Sequence, residues 1–110
     1  MKQYVIDEFR PKDFEAIQKY LQNNFGDSGV EGIYWIPIDN KILTKEQSEH
    51  KSCLPLFVAV DLTPERLACE FLLRTKSKMR CSCIQYATKI QRNWIIDVID
   101  AMFEKLKVKV

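Results

Sequence analysis

The most regular hydrophobic pattern lies at the centre of the chain. In "LFVAVDL", Leu56, Val58, Val60 and Leu62 alternate with other residues, and in "LACEFLLR" so do Leu67, Cys69, Phe71 and Leu73. A period of two places each set on one face of a strand. "TPER" between them reads as a four-residue turn. Pairing Leu62 with Leu67 also pairs Val60 with Cys69, Val58 with Phe71 and Leu56 with Leu73. Both apolar faces then coincide, and this fixes the hairpin register. "TKSK" reads as a second turn and "MRCSCI" as a third strand, which completes an antiparallel meander.

Helical periods flank this centre. In "FRPKDFEAIQKYLQNNFG", Phe14, Ile17, Leu21 and Phe25 recur at helical spacing. Pro11 suits the first helical position, Phe9 and Phe14 have the spacing of a hydrophobic staple, and Gly26 suits the C-terminal cap. At the far end Ile95, Val98, Ile99, Met102 and Leu106 form one apolar stripe, the sign of a long amphipathic helix. Thr88 and Gln91 before it have capping-box spacing, as do Thr44 and Gln47 before a short helix expected from Lys45 to about Ser52. Pro55 prevents that short helix from running much further. Tyr4–Ile6 reads as a short first strand, and "EGIYWIPI" as another that Pro37 confines to a sheet edge or a bulge.

The fold class predicted is α+β: an antiparallel sheet of about four to five strands including a three-strand meander, with helices packed on one face and a long C-terminal helix. One domain is expected over residues 1–110, since this length supplies a sufficient core without disulfides.

Composition narrows the function classes. Hydrophobic residues make up 46% and charged residues 29% of the chain, enough apolar material to offset the ordering entropy of a folded domain. A net charge of +2 is too mild for the basic stripe that nucleic-acid binding leaves, so no nucleic-acid partner is expected. No apolar run is long enough for a bilayer, and "MKQYVIDEFRPKDF" lacks the apolar core of a signal peptide. These features predict a cytoplasmic protein, where four cysteines are free, metal-bound or redox-active rather than disulfide-bonded.

The candidate chemistry is in "HKSC" and "RCSC". On a helix, positions i and i+3 share a face, so a short helix reaching Cys53 aims His50 and Cys53 the same way. On a strand, i and i+2 share a face, so Cys81 and Cys83 form a second clip. Three sulfurs and one imidazole nitrogen suit tetrahedral zinc, with an iron–sulfur cluster the less favoured occupant. The strand register leaves open which sheet face carries the second clip. A two-residue "KS" loop puts Cys81 opposite Leu72 and Cys83 opposite Glu70, on the face away from Cys69, whereas a three-residue loop reverses it. The plain alternative is that Cys53, Cys81 and Cys83 are small buried hydrophobes, as Cys69 is expected to be, and that His50 is an exposed helix residue.

The leading expectation is therefore a small domain holding a structural zinc or iron–sulfur site at His50, Cys53, Cys81 and Cys83, acting as a binding or regulatory module. The alternative is a thiol-dependent redox protein or enzyme using Cys81 or Cys83, with His50 as base and with Arg80 and the α-helix N-terminus lowering the thiol pKa. No nucleophile signature, nucleotide loop or His-Glu-x-x-His is present, and the balance is against an enzyme. A third reading is an interaction module, with Tyr34 and Trp35 on an edge strand, and Trp94, as anchors for a protein partner or a second copy. Arg80 and Arg92 are candidates for anion binding near the start of the last helix.

Overall fold

The computed structural model describes residues 2–26, 28–76 and 81–108. Strand β1 (Gln3–Asp7) leads into helix α1 (Pro11–Phe25). Strand β2 (Ile33–Pro37) follows, then a 3-10 turn (Asn40–Ile42), helix α2 (Lys45–Glu49) and a second 3-10 turn (Lys51–Cys53). Strands β3 (Leu56–Leu62), β4 (Arg66–Glu70) and β5 (Arg74–Thr75) precede the long helix α3 (Lys89–Lys105). All strand pairs are antiparallel. The order is β1-β4-β3-β2, with β5 continuing along the β4 side of β3. The fold is thus the α+β class expected, and Pro37 sits on an edge strand, where its missing N–H leaves no ladder bond unmade.

One sheet face forms the core. The register stacks Val60 against both Tyr34 and Cys69, Leu62 against Leu67, and Ile6 against Leu67. This face, Ile17 and Leu21 of α1, and Ile95, Ile99, Met102 and Phe103 of α3 belong to one buried cluster. The opposite face is only partly covered; there Trp35 and Phe57 meet edge to face, with ring centroids 6.2 Å apart. Gly32 opens β2 at φ +82, where a Cβ would come within 3.0 Å of the Leu62 carbonyl oxygen, so both the dihedral and the space favour glycine.

The hairpin register holds where the turn dictates it: Leu62 pairs with Leu67 and Val60 with Cys69. Beyond Cys69 it departs from expectation, because Leu56 pairs with Thr75 and not with Leu73. The cause is a detour at residues 71–73. The Phe71 N–H donates to the Lys2 carbonyl, the Phe71 carbonyl accepts from Ala87, and the Leu73 N–H donates to the Gln85 carbonyl. These backbone groups are satisfied by Lys2, just before β1, and by the segment before α3, leaving β3 free to pair with β5. The expected third strand over "MRCSCI" is corrected as well. Cys81–Ile84 is a turn closed by the Ile84 N–H on the Cys81 carbonyl at 3.0 Å. Ser77, Lys78, Met79 and Arg80, which carried parts of the predicted turn and strand, lie outside the described residues.

Candidate metal centre

Two tight local structures build the site. Helix α2 starts at the capping box read from the sequence: the Thr44 Oγ1 accepts from the Gln47 N–H at 3.2 Å, and the Gln47 Oε1 accepts from the Thr44 N–H at 3.0 Å. The helix ends at Glu49, short of the expected Ser52, because His50 leaves the helical region at φ −85, ψ 63. The 3-10 turn that follows is closed by the Cys53 N–H on the His50 carbonyl at 2.9 Å. In 3-10 geometry, positions i and i+3 eclipse, so His50 and Cys53 still project together. The second structure is the Cys81–Ile84 turn, in which Cys83 presents its backbone N–H to the Cys81 sulfur.

These two turns bring the four predicted ligands together. One donor atom from each of His50, Cys53, Cys81 and Cys83 lies within 4.8 Å of every other. The His50 Nδ1 is 3.1 Å from the Cys81 Sγ, and the Cys53 Sγ is 3.4 Å from the same sulfur. Tetrahedral zinc, with Zn–S near 2.3 Å and Zn–N near 2.0–2.1 Å, sets its ligand atoms roughly 3.5–3.8 Å apart. The observed spread brackets that spacing, so the cluster is able to chelate a single metal ion. A cluster of several bridged irons spreads its ligand sulfurs more widely, and this donor set is compact for it. All four cysteines are free thiols, so no disulfide competes for these sulfurs.

The surroundings treat the sulfurs differently. Cys53 and Cys83 are 1% and 0% exposed and share a small core with Leu56, against which Leu43, Leu54 and Cys81 pack. His50 and Cys81 are half-buried at the outer side. The Cys81 thiol is lowered from 9.0 to about 6, chiefly by the Cys83 N–H, then by the Cys83 and Cys53 thiols, with His50 adding to them against the opposing effect of burial. Burial pushes the Cys83 thiol up to about 12, and its contacts with Cys81 and Cys53 act in the same direction. Negative charge is therefore concentrated on Cys81, the sulfur that touches two of the other donors. Cys69 is apart from this group. It is fully buried on the core face of β4, where desolvation raises its thiol to about 12, the structural role expected of it.

The remaining candidates do not join the cluster. Tyr34 is only 4% exposed and its side chain belongs to the main core, which corrects its expected role as an exposed anchor. Trp35 is half-buried against Phe57, and Trp94 packs on the main core. Arg92 is exposed in the first turn of α3, and Arg80 lies outside the described residues.

Two residues that matter to the site were read from the sequence only as helix caps. Gln47 and Gln91 are both fully buried. The Gln91 Nε2 donates to the Gln47 Oε1 at 2.8 Å and to the Ile42 carbonyl at 3.0 Å, and the Gln47 Nε2 donates to the Cys83 carbonyl at 3.4 Å. The signal in the sequence was the repeated Thr-x-x-Gln.

No protein-family model, curated protein or solved structure matches this chain. Among the described residues, no helix is long and apolar enough to cross a membrane.

Proposed function

We propose that the domain is a zinc-clipped binding or regulatory module in which His50, Cys53, Cys81 and Cys83 hold one structural zinc ion. The observation that carries this reading is the convergence of three sulfurs and one imidazole nitrogen, from two separate turns, within 4.8 Å. Zinc favours this donor set and takes it as a closed tetrahedron. Four protein ligands leave no open coordination position, so the ion's work is to tie the α2 turn to the segment that leads into α3. Metal-bound thiolates of this kind suit a reducing compartment such as the cytosol.

The same His50–Cys81 contact is what a thiol nucleophile and its base would make. Such a pair has no use for two further sulfurs in the same pocket, whereas a metal ion uses all four donors. The test is elemental analysis of protein purified without chelator under anaerobic conditions. The expected result is one zinc per chain, lost in Cys81→Ser. No bound metal, with Cys53, Cys81 and Cys83 left as free thiols, would overturn the proposal.

A further inference from the structure

We propose that Gln47 is a positioning residue of the metal centre and that, through Gln91, it couples metal occupancy to the first turn of α3; the inference rests on the zinc reading above. A capping box at either helix needs only an acceptor at the third helical position, and glutamate serves there as well as glutamine. What glutamine adds is a donor, which a carboxylate lacks. Both donors are used away from the helix caps. The Gln91 amide reaches Gln47 and the Ile42 carbonyl, and the Gln47 amide reaches the carbonyl of Cys83, one of the metal ligands.

The two oxygens fix the orientation of the pair. The Gln47 Oε1 accepts from the Thr44 N–H and from Gln91, and the Gln91 Oε1 accepts from the Thr88 N–H. Flipping the Gln47 amide would set donors against donors in a site shielded from water, where an unmet polar group is costly. The amides therefore form one continuous chain of hydrogen bonds: Thr88 backbone, Gln91, Gln47, Cys83 backbone. Metal binding fixes the Cys83 turn, and this chain carries the constraint to the start of α3. Coupling of this kind is reciprocal, so breaking the amide chain at Gln91 must weaken metal binding.

The test measures zinc affinity by competition with a chromophoric chelator in wild type, Gln47→Met, Gln91→Met and Thr88→Val. Thr88→Val removes the side-chain cap of the same helix end, where the Thr88 Oγ1 accepts from the Gln91 N–H, but leaves both amides in place. The expected result is affinity weakened on the order of tenfold in both methionine variants, in line with the loss of outer ligand-supporting contacts, and unchanged in Thr88→Val. Hydrogen exchange on the wild type supplies a second readout that requires no variant to fold: zinc should slow amide exchange in the first turn of α3. Equal affinity in wild type and Gln91→Met, equal weakening by Thr88→Val, or exchange in α3 indifferent to zinc would each overturn the coupling while leaving the zinc site intact. A wild-type protein that binds no zinc would overturn both.

Discussion

His50 and Cys81 stand 31 residues apart in the chain, yet the His50 Nδ1 lies 3.1 Å from the Cys81 sulfur. Neither residue is on a long regular element. His50 is the hinge between α2 and a 3-10 turn, and Cys81 opens a turn of its own. The contact therefore depends on two tight turns being held against each other, and a metal ion bound between them would supply that hold.

Cys81→Ser should abolish stoichiometric zinc binding and, with it, the metal's contribution to stability. A ligand present at 1,000 times its Kd adds about 4 kcal/mol to the folded state. The zinc-loaded wild type should accordingly melt well above both the chelator-treated wild type and Cys81→Ser, and chelator should leave the variant's melting unchanged. Cys69→Ala is the matched control. Its thiol lies in the main core and not among the ligands, so bound zinc should remain at the wild-type level. Calorimetry with and without chelator checks all three proteins.

In metal-free protein the first thiol to ionise should be Cys81, lowered from 9.0 to about 6. A group whose folded-state value is depressed favours folding above its unfolded value and loses that contribution as pH falls through the folded value. The stability due to Cys81 should thus be complete above about pH 9, decline as pH falls, and be gone below about pH 6. Denaturation midpoints of the chelated protein across this range should fall with pH more steeply in wild type than in Cys81→Ser. Identical pH profiles would contradict the assignment.

Leu56→Ala should affect both the fold and the site. Leu56 is fully buried and packs in the small core with Cys53 and Cys83. Truncating a buried leucine to alanine typically costs about 2–5 kcal/mol. Leu21→Ala, fully buried in the main core on α1, falls in the same class. Of the two, only Leu56→Ala should also weaken zinc affinity, because it leaves a cavity behind two of the ligands. Chemical denaturation paired with chelator competition separates these effects.

Much of the fold was legible because burial on one face imposes a period. The β3–β4 turn, the edge position of Pro37, both Thr-x-x-Gln caps and the stripe on α3 each followed from local rules. The shift of β5 did not, and the reason is physical. Moving a strand by two residues preserves which side chains face the core, so Leu67, Cys69, Phe71 and Leu73 look alike in either register. The backbone detour at 71–73 is set by long-range partners at Lys2, Gln85 and Ala87, which no local pattern reveals.

The site was legible for a different reason. The 3-10 turn at His50–Cys53 juxtaposes i and i+3 as a helix does, so the early end of α2 leaves the clip intact. Cys81 and Cys83 also meet, in a turn and not on the expected strand. The burial and mutual bonding of Gln47 and Gln91 were hidden because the two amides meet across 44 residues of chain, a contact that no local pattern reveals.

The most direct test of the central claim is X-ray absorption at the zinc edge of the stoichiometric zinc complex. The arrangement predicts a first shell of three sulfurs near 2.3 Å and one nitrogen near 2.0–2.1 Å, with an imidazole signature that disappears in His50→Ala. A shell dominated by oxygen, or one that Cys53→Ser, Cys81→Ser and Cys83→Ser all leave unchanged, would contradict it.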